Sequence, residues 1–122
     1  AVAASWGFDL GNPVAIGADD ADLALAVNRL GELGGGLVLA AGGRVVRELA
    51  LPVFGTVCDR PWEEVSRELA ALDGELKARG CRGENPLLSL LTVSFTAIPA
   101  LRVTAEGYYL VRENAVAGLS AL

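Results

Sequence analysis

The side chains that could carry chemistry are few, and their spacing limits what they can do. Cys58 and Cys81 are the only two cysteines and lie too far apart for a CxxC pair. Two thiols alone cannot make a four-thiolate zinc site. A disulfide framework does not suit so apolar a domain, so both read as free thiols in a reducing compartment. Asp19, Asp20 and Asp22 offer oxygen ligands to a hard cation, but the spacing is not that of an EF-hand and no closing glutamate follows. They suit the start of a helix better, where carboxylates accept from free N–H groups and oppose the positive dipole end. Gly31, Gly34, Gly35 and Gly36 superficially resemble a phosphate loop. They lie at the end of a helix and before a strand, the reverse of a dinucleotide fingerprint, and no GK[ST] is present. Cap and turn chemistry is the better reading. Thr92, Ser94 and Thr96 alternate as one face of a strand, either lining a polar groove or facing solvent. Asp9 and Asn12 are polar positions flanked by Trp6 and Phe8, which could wall a pocket.

The chain contains no histidine. That excludes Ser-His-Asp and Cys-His triads, HExxH zinc sites and imidazole general bases within it. Ten basic against fifteen acidic side chains give a net charge of −5. There is accordingly no electrostatic case for nucleic acid or an anionic membrane as partner. No apolar run reaches the roughly 18–20 residues of a membrane span, and the first five residues do not read as a secretory signal. The expected location is the cytoplasm. The absent initiator methionine fits a processed chain or a piece of a longer one.

The elements that must position these residues follow from periodicity. The length of 122 residues suits one domain, and 52% hydrophobic content supplies a core. Residues 1–12 read as a linker and residues 13–122 as the domain. Pro13–Gly17 reads as a buried strand. A helix opens at Asp19–Asp22, with Leu23, Ala26, Val27, Leu30 and Leu33 on one face and Gly34–Gly36 as its stop. Leu37–Ala40 and Val45–Leu49 flank a Gly42–Gly43 turn and read as a hairpin. Leu51–Gly55 continues extended, with Pro52 at a strand end. Asp59-Arg60-Pro61 supplies a cap and an early proline for a second helix. Trp62, Val65, Leu69, Leu72 and Leu76 form its apolar stripe, with Trp62 as a core anchor, and Gly80 ends it. Pro86–Leu91 is ambiguous between helix and strand. Thr92–Ile98, Leu101–Thr104 and Tyr108–Val111 read as strands, the last two joined through Ala105–Gly107. The coarse order β-α-β-β-α-β-β-β indicates an α+β (mixed α/β) fold: a two-layer or three-layer sandwich of a mixed β-sheet with two main helices.

Several stretches, taken in order, carry a family resemblance. They are Asn12-Pro13-Val14-Ala15-Ile16-Gly17-Ala18-Asp19-Asp20, then Leu25 to Leu30 with Leu33 to Val38 ("LAVNRL…LGGGLV"). Leu49 to Gly55 follows with Asp59-Arg60-Pro61, and finally Leu88 to Pro99 with Leu101 to Thr104. Residues from about 11 to 111 resemble the carboxy-terminal domain of bacterial adenine deaminase, in the amidohydrolase superfamily. The resemblance implies an enzyme that hydrolyses adenine to hypoxanthine and ammonia with a metal-activated hydroxide. It also implies that the metal ligands, for iron, manganese or zinc, sit in a separate (β/α)-barrel domain. This chain would then hold no cofactor or catalytic residue of its own, and its partner would be that barrel, or a second copy in a homo-oligomer. The family's "HDSHN" motif corresponds to Phe8-Asp9-Leu10-Gly11-Asn12, in which Phe8 and Gly11 replace both histidines. Asp9 and Asn12 are the positions that the resemblance marks as ligand-binding. A stand-alone or degenerate module for ligand binding or oligomerisation is the alternative.

Overall fold

The computed structural model describes residues 1–7, 12–92, 95, 100–104 and 106–118. Seven strands and three helices are described, in the order β1 (Val2–Ala4), β2 (Val14–Ile16), α1 (Asp20–Glu32), β3 (Gly36–Ala40), β4 (Val45–Ala50), α2 (Trp62–Ala78), α3 (Pro86–Thr92), β5 (Leu101–Thr104), β6 (Gly107–Leu110) and β7 (Ala115–Ala117). β2-β1-β3-β4 form one sheet and β5-β6-β7 a second. The α+β class holds, and every strand pairing described is antiparallel. Because β1 runs against both β2 and β3, those two run the same way. The β2–α1–β3 segment is thus a crossover with β1 inserted between its strands.

The first sheet is sandwiched between helices, which makes this part three layers. Alternation along β1 and β3 sends Ala3, Val38 and Ala40 to one face, where they bury against Ala26 and Leu30 of α1. It sends Val2, Ala4, Leu37 and Leu39 to the other, where they meet Leu72 and Leu76 of α2 and Leu87 of α3. Both strands are buried on both faces, and their sequences are correspondingly apolar without interruption. Burying a leucine such as Leu72 stabilises the fold by about 2 kcal/mol.

Val2–Ala4 falls in the segment that the sequence assigns to a linker, yet it is the strand between β2 and β3. Three small residues are too few to show a period, and their strand identity comes from pairing on both sides. The run at Pro13–Gly17 does form a strand, β2, but a half-buried one at the sheet edge. Leu51–Gly55 does not continue extended. Val53 pairs back onto Val57 and the chain reverses between them. Pro86–Thr92 resolves as helix, so Thr92 ends α3 and does not begin a strand. Its hydroxyl donates to the Leu88 and Ser89 carbonyls. Phe95 apart, residues 93–99 lie outside the described residues, with Ser94 and Thr96 among them.

Two glycines of the 34–36 run allow close backbone packing. A Cβ on Gly36 would lie 2.0 Å from the Leu49 carbonyl oxygen, across the β3–β4 ladder. A Cβ on Gly35 would lie 2.4 Å from Gly55 Cα and 2.9 Å from Ser5 Oγ. Ser5 Oγ accepts from Gly36 N at 2.7 Å and donates to Gly55 O at 2.6 Å. This stitches the end of β1, the start of β3 and the turn after β4 into one knot.

Candidate functional site

That knot positions the rim of an apolar groove of about 430 Å³ on the α2 face of the sheet. Its floor is Leu37, Leu49 and Leu51 from the sheet side. Val65 and Leu69 line it from α2, and Trp6 walls it from the chain just after β1. Thr56, Val57, Cys58 and Arg60 close it from the loop that leads into α2. Trp62 stands at the lip. It is 74% exposed and is therefore not the core anchor that its place in the stripe predicts. The stripe buries only where α2 overlies the sheet, at Leu72 and Leu76, and Trp62 lies in the first turn, short of that overlap. Trp6 lines this groove, and Asn12 is not among its lining residues.

Electrostatics stiffen the groove wall. Both terminal nitrogens of Arg60 donate to the Glu68 carboxylate, at 2.7 and 2.8 Å, and its Nε donates to Cys58 Sγ at 3.4 Å. The planar fork of a guanidinium matches a carboxylate in this bidentate way. Arg60 holds the Glu68 carboxyl below its ordinary range, against the opposing effect of partial desolvation. Glu68, and secondarily the Cys58 thiol, raise the Arg60 pKa. Cys58 and Cys81 are both free thiols. The α2 start departs from expectation. Pro61 itself takes the N-cap position with no side-chain cap bond, so Asp59 does not cap the helix.

A second apolar hollow of about 470 Å³ lies beside the first and shares Trp6 and Leu69 with it. Asp73 edges it and accepts from Leu87 N at 3.3 Å, tying α3 to α2. The Lys77 hydrogen bond, more than that to Leu87, draws the Asp73 carboxyl below its ordinary value.

The acidic cluster is structural. Asp19 caps α1, its Oδ1 accepting from Asp22 N at 2.8 Å. Asp22 is buried and turns its carboxylate onto the β3–β4 turn, accepting from Gly42 N at 2.9 Å and Gly43 N at 2.8 Å. The Gly43 bond leads in lowering its pKa, with burial opposing. Among the described residues no three His, Cys, Asp or Glu side chains come together as a metal site. No described helix is long and apolar enough to cross a membrane. Of the two positions marked by resemblance, Asp9 lies outside the described residues and Asn12 is exposed just before β2. Phe54 and Val57 are not singled out by the sequence, which reads Cys58 only as a free thiol and Arg60 only as part of the helix start. The one signal for Phe54 was a bulky residue before Gly55 in a Pro/Gly-rich turn.

The described site is an apolar groove on an α+β domain, with Glu68 and Asp73 beside it held by Arg60 and Lys77. The chain matches the adenine deaminase C-terminal domain family over residues 1–115, and it belongs to that family. It is 44% identical over 107 residues to an adenine deaminase of Methylobacterium nodulans, covering 88% of this chain and 19% of that protein. It is 37% identical over 110 residues to one of Bacillus licheniformis, covering 89% of this chain and 19% of that protein. An adenine deaminase of Kosmotoga olearia is 41% identical over 107 residues, again 88% of this chain and 18% of the relative. The chain thus spans about a fifth of the length of the curated relatives that it matches.

Proposed function

We propose that this chain is an accessory domain of an adenine deaminase and contributes no catalytic group of its own to the hydrolysis of adenine to hypoxanthine and ammonia. The observation that carries this reading is the match: nearly nine tenths of the chain against a fifth of each enzyme. The described side chains do not fit a hydrolytic metal. There is no imidazole, and Asp22, Glu48, Glu68 and Asp73 are already engaged by backbone N–H groups or by Arg29, Arg60 and Lys77. In this reading a divalent iron, manganese or zinc ion belongs to a barrel domain elsewhere in the enzyme, and the partner of this chain is that barrel. Asp9 and Asn12 are the positions proposed to reach toward the bound base. Phe8 and Gly11 stand where the family's motif has histidine, so any proton transfer made by those imidazoles is lost in this copy. Two free thiols suit a reducing, cytoplasmic setting.

The test uses the Methylobacterium nodulans adenine deaminase with its matching segment deleted. Adding this chain, covalently or in trans, is expected to restore a soluble assembly of the two parts. Failure to associate, with both parts folded, overturns the reading.

A further inference from the structure

Phe54 is the most exposed large hydrophobic residue described, at 96%, and its φ is +54°. Each property is locally unfavourable: an aromatic ring left in water, and a bulky residue in the left-handed region that glycine and asparagine favour. The turn is nevertheless tightly held. Val53 N donates to Val57 O, Thr56 N donates to Val53 O, and Ser5 Oγ donates to Gly55 O. Val53 at 40%, Val57 at 54% and Trp62 at 74% exposure are further apolar side chains of the same loop and helix start, and Val57 and Trp62 also line the groove. Arg60, the one cation on the groove wall among the described residues, is neutralised by Glu68. The domain holds an apolar patch outward at a conformational cost and gains no packing from Phe54.

We infer that the Phe54–Val57–Trp62 patch, with the mouth of the groove, is the surface by which this domain docks onto the rest of an adenine deaminase polypeptide, on an apolar face of that portion. The inference rests on the functional reading above and adds the surface to it. One observation chooses this occupant. About four fifths of each matched relative lies outside the region that this chain matches, so in those proteins a large body stands available to cover the patch.

The experiment is hydroxyl-radical footprinting of Phe54 and Trp62 in two samples: the 122-residue chain alone, and the Methylobacterium nodulans enzyme carrying this chain in place of its own matching segment. Labelling of both rings is expected to fall severalfold in the full-length protein. Phe54→Asn is the decisive variant. It suits the left-handed turn and removes the ring, so the isolated chain should melt at the same or a higher temperature while Trp62 protection in the full-length protein is lost. Trp62→Gln, at a second exposed position, should equally restore labelling of Phe54. Equal labelling in both samples, with the two parts associated, overturns the surface and leaves the functional reading standing. Equal labelling without association overturns both. Protection that appears in the isolated chain and grows with its concentration assigns the patch to a second copy and overturns the inference. If the full-length hybrid does not fold, the same footprint is read with the chain added in trans to the relative's remaining portion.

Discussion

Gly34 and Gly35 are adjacent, both at positive φ, yet the structure gives them different reasons for being glycine. Gly34, at +72°, has nothing within 4 Å of where a Cβ would stand. Gly35, at +116°, would place that carbon 2.4 Å from Gly55 Cα and 2.9 Å from Ser5 Oγ. Gly34→Ala therefore meets only the backbone preference, about 1 kcal/mol for an alanine in the left-handed region. Gly35→Ala meets a comparable or larger backbone term and also a clash with main chain, for which overpacking costs typically about 1–3 kcal/mol. The expected loss is about 3 kcal/mol, or near 12 °C in Tm, since unfolding entropy for a domain of this length gives about 4 °C per kcal/mol. Urea titrations of the two variants, followed by far-UV circular dichroism, measure both losses on one scale. The clash also separates β3 from the Phe54 turn, so Gly35→Ala alone should raise proteolysis in residues 51–57. If the two variants lose the same stability within about 0.5 kcal/mol, the close approach of Gly35 to Gly55 does not hold the turn, and the argument for a rigidly presented Phe54 loses its support.

Leu72 and Trp62 share one helical stripe but not one environment. Leu72→Ala should cost about 2–4 kcal/mol by cavity formation, whereas Trp62→Ala should change the stability of the isolated chain by under about 1 kcal/mol; equal costs in thermal melts would return Trp62 to the core. Asp22 has its pKa lowered from an ordinary 3.8 by the Gly43 and Gly42 N–H groups. A depressed carboxylate contributes stability that is fully present above the unfolded-state pKa and lost as pH falls through the folded one. Melting temperature should thus drop below about pH 4, and Asp22→Asn should be less stable at pH 7 with a flatter acid limb; an unchanged limb would contradict the role given to Asp22. Ser5→Ala removes the acceptor for Gly36 N and the donor to Gly55 O. The expected cost is about 1–3 kcal/mol for the unsatisfied partners, read by amide exchange at Gly36.

Elements whose signal is local were legible. The α1 and α2 stripes, the Gly34–Gly36 stop and the Gly42–Gly43 turn all encode their own structure within a few residues, and α1, β3, β4 and α2 lie where those signals place them. Elements defined by pairing were not. Val2–Ala4 is a strand because β2 and β3 flank it, and Pro86–Thr92 is a helix because its apolar run seats on α2 through Leu87 and Asp73. Trp62 was misread because helical spacing reports a face and not how far the neighbouring sheet extends beneath it. The family was legible because its short segments recur in order, while the groove was not, since it assembles Trp6, Leu51, Val57 and Leu69 from four separate parts of the chain.

In the proposed reading the domain supports adenine deamination without performing it. Ammonia release from adenine by the purified 122-residue chain, supplied in turn with Mn²⁺, Fe²⁺ and Zn²⁺, tests it most directly. No release above the buffer blank is expected with any of the three ions. Sustained, metal-dependent turnover by the chain alone would contradict it.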